Sequence, residues 1–89
     1  MPERAVTIVN RRGLHARAAA KFVKLAGSFD AEVVVEREGQ RVSGLSLMGL
    51  LMLAASPGSD IRIETQGTAA EAALDALTSL VDSGFEEQD

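Results

Sequence analysis

The chain has no cysteine, so disulfide bonds and metal sites built on thiolates are excluded. It has a single histidine, His15, and one histidine without cysteine does not make a zinc site of familiar spacing. A glycine-rich phosphate loop and a nucleophile-elbow serine motif are also absent. We therefore expect no metal and no cofactor, and His15 is the first candidate for a chemical role.

Positive charge and long apolar segments are scarce as well. The net charge of −4 argues against a nucleic-acid partner, which requires a basic face. The longest apolar run, Leu47 to Ala55, is far shorter than the about 20 residues that cross a bilayer. The start, Met1 to Arg4, lacks an apolar signal segment. We expect a cytoplasmic protein without membrane contact, folded as one domain over residues 1–89.

Acidic residues are absent from residues 5–28. This stretch contains five of the nine basic side chains, namely Arg11, Arg12, Arg17, Lys21 and Lys24. His15 therefore lies in the only positive region of the chain. Such a region can hold a phosphate and steer the protein towards acidic partners. A solvated helix face without a function is the alternative interpretation.

Apolar periodicity predicts seven elements. Strands are expected over about residues 5–9, 31–37, 40–42 and 60–64, and helices over about residues 16–26, 45–54 and 69–82. Glu38-Gly39 has turn chemistry, and Thr68 with Glu71 predicts a capping box for the last helix. The segregated strands and helices indicate an α+β domain, with one sheet covered by helices on one face.

His15 falls where the first strand passes into the first helix. The first amides of a helix have no partner within the helix, and they carry partial positive charge. The backbone amides of Ala16, Arg17 and Ala18 can therefore bind a phosphate, which the Arg17 side chain can also reach. Gly13 permits unusual backbone angles at the turn. A lone histidine is often structural, but this context favours a residue that carries a phosphoryl group.

The segment Gly13-Leu14-His15-Ala16-Arg17 resembles the active-site motif of the HPr family, the histidine phosphocarrier proteins of the bacterial phosphotransferase system. Ser46-Leu47-Met48-Gly49 resembles the regulatory serine site of the same family. The element order agrees, so the resemblance covers essentially the whole chain. Phe29 to Val33 and Ser83 to Glu86 are similar to segments of the nitrogen-related NPr branch. The resemblance implies an open-faced β-sandwich, in which three helices cover one face of a four-stranded antiparallel sheet in the order βαββαβα.

The resemblance also implies a relay. His15 would accept a phosphoryl group on its δ1 (pros) nitrogen from enzyme I, which draws it from phosphoenolpyruvate, and would pass it to a histidine of a IIA-type protein. Arg17 matches the active-site arginine of the family. The protein would be a monomeric carrier rather than an enzyme. Ala18 stands where most members have proline, so the first turn loses rigidity and the transfer rate is left open.

Ser46 opens the second predicted helix. Serine is a favoured N-cap, so a purely structural role is one interpretation. The resemblance implies phosphorylation by an ATP-dependent HPr kinase/phosphorylase. A different function therefore stays open, in which the protein is mainly a regulatory binding protein switched at Ser46, with little flux through His15.

The second predicted helix is apolar nearly all round. By family analogy Leu47, Met48, Leu51 and Met52 form a surface on which partners dock, with Arg17, Lys21 and Lys24 around it. The alternative is that neighbouring loops bury the excess of apolar side chains.

Overall fold

The computed structural model describes residues 2–87, so Met1, Gln88 and Asp89 at the ends of the predicted domain lie outside the described residues. Within this range four strands and three helices occur in the predicted order βαββαβα. Their bounds are β1 Glu3–Thr7, α1 Ala16–Ala26, β2 Glu32–Arg37, β3 Gln40–Ser43, α2 Leu47–Met52, β4 Asp60–Gln66 and α3 Ala70–Asp82. None of the helices in residues 2–87 has the length and apolar character needed to cross a membrane.

The strands form one antiparallel sheet in the spatial order β1-β4-β2-β3. β4 lies between β1 and β2, with Ile63 opposite Arg4 on one side and opposite Val35 on the other. A tight hairpin joins β2 to β3 at Glu38-Gly39, where φ is 52° and 82°. Positive φ at both turn residues suits the twist of a two-residue hairpin. The turn predicted at Glu38-Gly39 is confirmed.

The alternation of side chains along the strands gives the sheet one apolar face. Ile61 and Ile63 of β4 and Val35 of β2 are buried on this face. Phe22 of α1 and Leu77 of α3 join the same core. Burial of one such side chain contributes about 1.5–3 kcal/mol, so this face holds the helices on the sheet.

The opposite face of the sheet is covered by ion pairs rather than by helices, as expected for an open-faced sandwich. Arg41 donates two hydrogen bonds to the Glu64 carboxylate, at 2.8 and 3.0 Å. Arg62 pairs with Glu36 beside them. The hydrogen bond from Arg41 holds the pKa of Glu64 below its ordinary value.

The predicted capping box of α3 is wrong. The N-cap is Ala69, and no side chain accepts a hydrogen bond from the first turn. The Ala69 N–H donates instead to the Asp30 carbonyl at 3.0 Å, and the Ala70 N–H to the Gly67 carbonyl at 3.2 Å. Because the helix begins one residue later than predicted, Thr68 precedes the N-cap and its side chain does not cap the first turn.

β1 begins and ends two residues earlier than predicted. Its ladder with β4 ends where Thr7 lies opposite Asp60, because β4 begins at Asp60 after a loop. Ile8 keeps a further hydrogen bond to the Ser59 carbonyl, at 2.8 Å, and is buried. Val9 lies beyond this pairing and is 59% exposed.

Candidate functional site

The loop between β1 and α1 is held by Asn10 and by backbone hydrogen bonds. Asn10 donates from Nδ2 to the Gly13 carbonyl at 2.8 Å, and the Leu14 N–H donates to the Ala55 carbonyl at 2.9 Å. Gly13 takes φ +67°, and a Cβ there would lie 2.6 Å from the Ala55 oxygen. Glycine is therefore required, and the loop delivers His15 to the helix start in a fixed position.

His15 is the N-cap residue of α1. Its backbone is extended, with φ −81° and ψ 178°, and its Nδ1 accepts a hydrogen bond from the Arg17 N–H at 3.3 Å. A nitrogen that accepts carries a lone pair. This lone pair faces the helix amides that favour an anion, which is the arrangement predicted from the sequence.

The imidazole of His15 is only partly exposed. Its side chain is 22% exposed, because Glu87 covers the other side of the ring. His15 Nε2 pairs with Glu87 Oε2, and Asn10 Nδ2 donates to Glu87 Oε1 at 3.0 Å. These hydrogen bonds, the one from His15 above all, lower the pKa of Glu87.

Sequence reasoning missed Glu87 and Asn10 as neighbours of His15. The sequence placed His15 in a positive region and gave no sign of a carboxylate beside it. Glu87 is 72 residues from His15 along the chain, and only the fold brings the two together. The available signal was Gly84, a glycine just past the last helix that permits the chain to turn back there.

The predicted phosphate-binding groups lie together at the start of α1. Ala16 and Arg17 are exposed, whereas the Ala18 side chain is fully buried. The first turn has no acidic residue, and the Arg17 guanidinium has no ion pair within residues 2–87. Arg17 is thus available to an anion at His15. No group of three metal-ligating side chains occurs in the described part of the chain.

Comparison with known proteins identifies the family. Residues 2–83 match the family model described as the PTS HPr component phosphorylation site. The chain belongs to the HPr family. HPr proteins are phosphocarriers of the phosphotransferase system and not catalytic enzymes.

Two relatives and one solved structure support this assignment. Phosphocarrier protein HPr of Cupriavidus necator is 46% identical over 87 residues, 98% of either chain. Phosphocarrier protein NPr of Shewanella violacea is 48% identical over 85 residues, 96% of this chain and 93% of that protein. The crystal structure of HPr-C-His from Thermoanaerobacter tengcongensis matches with a TM-score of 0.95 and 37% identity over the whole of both chains. The fold prediction is confirmed, whereas the similar identities to HPr and NPr leave the nitrogen-related branch a prediction.

The HPr regulatory serine predicted at Ser46 is the N-cap of α2. Its Oγ accepts a hydrogen bond from the Gly49 N–H at 3.0 Å, and the side chain is partly exposed. α2 is shorter than predicted, because Ser46 caps its start and Ala54 takes φ +53° after its end. The capping role is confirmed, and phosphorylation at Ser46 remains a prediction.

The apolar patch, defined as Leu47, Met48, Leu51 and Met52, lies on α2. Met48 and Met52 are 66% and 65% exposed, so neighbouring loops do not bury them. Leu51 is partly buried against the core. Ala55, which follows α2, accepts the hydrogen bond from Leu14. This hydrogen bond connects the segment that follows α2 to the loop that carries His15.

Lys21 and Lys24 are placed differently from each other. Both line a groove that includes Leu80 and Glu86. The Lys21 ammonium donates to the Phe85 carbonyl at 2.7 Å, so the Lys21 side chain is bound to the C-terminal segment. Lys24 is exposed, as is Arg17. Of the three predicted docking cations, Arg17 and Lys24 are therefore the ones that are free to meet a partner.

Proposed function

We propose that this HPr-family chain is a phosphocarrier of the phosphoenolpyruvate-dependent phosphotransferase system. It accepts a phosphoryl group from enzyme I on Nδ1 of His15 and passes it to a histidine of a IIA-type protein. The observation that carries the proposal is the position of Nδ1 at the N-terminus of α1, 3.3 Å from the Arg17 amide nitrogen. Helix amides at this end stabilise an anionic group.

The transfer needs few groups from this protein. The Nδ1 lone pair forms a bond to phosphorus while the bond between phosphorus and the donor breaks, and that electron pair stays on the donor. The amides at residues 16–18 and the Arg17 guanidinium bind the phosphoryl oxygens, which bear the negative charge. Transfer to the acceptor is the reverse process. Because donor and acceptor supply the remaining groups, the carrier needs only a positioned nucleophile and a cationic cradle.

Incubation with phosphoenolpyruvate and enzyme I tests the function. The wild type should gain an acid-labile phosphate, and His15→Ala should gain none. Arg17→Ala should slow uptake by about 100-fold, since it removes one charged donor from the developing anion. Arg4→Ala carries the same charge change at a surface pair with Asp75, and it should react like the wild type. An acid-labile phosphate on His15→Ala would contradict the proposal.

The second candidate function is a regulatory binding protein that is switched by phosphorylation at Ser46. The observation in its favour is the place of Ser46, partly exposed and immediately before the apolar patch. An HPr kinase/phosphorylase with ATP would then form an acid-stable phosphate on Ser46. If enzyme I produced no acid-labile phosphate and the kinase produced the acid-stable one, this second function would replace the first.

The apolar patch is the docking surface in this proposal. Exposed Met48 and Met52 can adapt to more than one partner. Arg17 and Lys24 add positive charge that suits acidic partners and transient contacts. We further propose that the carrier is a cytoplasmic monomer, that residues 1–89 form one domain, and that it serves the nitrogen-related branch.

A further inference from the structure

The Glu87 carboxylate is built into the site of His15. One oxygen pairs with His15 Nε2, and the other accepts the Asn10 Nδ2 hydrogen bond at 3.0 Å. The Glu87 side chain is only 13% exposed. Asn10 itself is buried, and it also holds the Gly13 carbonyl of the histidine loop. Both oxygens of the carboxylate are therefore oriented by groups that belong to the site.

The chain adopts a strained path to bring Glu87 there. After α3, Gly84, Phe85 and Glu86 take φ values of 68°, 57° and 62° in succession. A left-handed backbone is unfavourable for phenylalanine and glutamate, and such strain persists only where surrounding contacts impose it. Phe85 is fully buried, and its carbonyl accepts the Lys21 hydrogen bond at 2.7 Å. The buried side chain of Phe85 and its hydrogen-bonded carbonyl therefore both hold the turn that leads to Glu87.

The two contacts of the imidazole require the same tautomer. Nδ1 accepts from the Arg17 amide, so it has no proton, and Nε2 donates to the Glu87 carboxylate. A carboxylate on one ring nitrogen fixes the tautomer and orientation of a histidine in many sites. The nitrogen left unprotonated is the one that faces the helix amides.

We propose that Glu87 is a positioning residue that keeps the proton of His15 on Nε2 and leaves Nδ1 as the nucleophile. The inference rests on the proposed function. When Nδ1 bonds to phosphorus, the proton stays on Nε2 and the ring gains one positive charge. The Glu87 carboxylate neutralises this charge. It lies at Nε2, across the ring from Nδ1, and is thereby kept away from the phosphoryl oxygens.

Imidazole ¹⁵N chemical shifts of the isolated protein test the tautomer, at a pH where the ring is neutral. The wild type should show one dominant tautomer with the proton on Nε2. Glu87→Ala should show a larger share of the tautomer with the proton on Nδ1 than the wild type, with Nε2 still favoured by the Arg17 amide. Glu87→Gln retains an oxygen acceptor and should keep the dominant tautomer. Glu86→Gln removes a charge from the exposed neighbour and should match the wild type. Wild-type shifts in Glu87→Ala would overturn the proposal.

Phosphoryl uptake from enzyme I tests the consequence. Glu87→Ala should slow uptake about tenfold, as is typical when the orienting partner of a histidine is lost. Glu87→Gln should fall between Glu87→Ala and the wild type, because it keeps the hydrogen bond and loses the charge. Unchanged melting temperatures would show that the fold is intact. A wild-type rate in Glu87→Gln would overturn the charge-neutralising role. A wild type that takes no phosphoryl group would defeat the proposed function, whereas the ring shifts would still decide the positioning role.

Discussion

At the scale of single residues, the site depends on backbone positions that allow little variation. His15 follows a loop whose turn requires φ +67° at Gly13 and close contact with the Ala55 carbonyl. A side chain at Gly13 would push against rigid backbone rather than against a flexible side chain. The position of the nucleophile is therefore set by a glycine two residues before it.

Gly13→Ala should destabilise the fold by more than the about 1–2 kcal/mol that a left-handed alanine costs, because its Cβ also meets the Ala55 oxygen. Gly58→Ala is a matched control, since φ is +89° there and a Cβ would meet nothing within 4 Å. Urea unfolding of both variants and of the wild type gives the loss in the free energy of unfolding for each variant. Equal losses of stability would show that the contact with Ala55 does not hold the loop.

The sequence predicted the residues of the site that are local in the chain. His15, Arg17 and the first helix amides are neighbours in sequence, so helix geometry alone brings them together. Glu87 could not be predicted in the same way, because its contact depends on the end of α3 and on the turn at residues 84–86. Long-range contacts of this kind leave no periodic pattern.

At the scale of elements, N-caps mark where the helices begin. The sequence predicted the cap of α2 correctly and the cap of α3 wrongly. Ser46 caps α2 as expected. Its side chain accepts a hydrogen bond from the Gly49 amide three residues later, and first-turn amides such as this one have no partner within the helix. Thr68 does not cap α3, because the helix begins one residue later than predicted and its N-cap is Ala69. A side-chain cap is predicted correctly only when the start of the helix is predicted to the residue, because the cap binds amides two or three residues further on.

Ser46→Asp should weaken docking to enzyme I through added negative charge beside the apolar patch, and it should raise KM for the carrier with kcat little changed. Stability should change by less than about 0.5 kcal/mol, because aspartate is also a good N-cap. Ser46→Asn is the matched control, with a similar cap and no charge. Phosphotransfer at equal rates for Ser46→Asp and wild type would count against regulation at this site.

At the scale of the whole molecule, the sheet order is the feature least visible in the sequence. The segregation of strands and helices along the chain predicted the fold class. The pairing of β1 with β4 joins segments that are far apart in the chain, with Thr7 opposite Asp60, and local patterns do not encode it. The same pairing leaves the outer face of the sheet to the ion pairs around Glu64.

The ion pairs of Glu64 predict how the stability of the folded protein depends on pH. Because the pKa of Glu64 is lowered in the folded protein, its contribution to stability is present above the ordinary glutamate range and is lost as the pH falls through the lowered pKa. Glu64→Gln should therefore reduce the melting temperature at neutral pH, and the difference from the wild type should shrink in acid. Glu32→Gln, a charge change at an exposed position of the same sheet, should show a smaller effect at neutral pH. A pH-independent difference for Glu64→Gln would contradict the account.

The central claim is that Nδ1 of His15 carries the phosphoryl group. The most direct measurement is NMR of the protein with ¹⁵N-labelled histidine after reaction with phosphoenolpyruvate and enzyme I. The account predicts a one-bond phosphorus–nitrogen coupling at Nδ1 of His15, with the proton still on Nε2. A coupling at Nε2, or phosphate found only on Ser46, would contradict it.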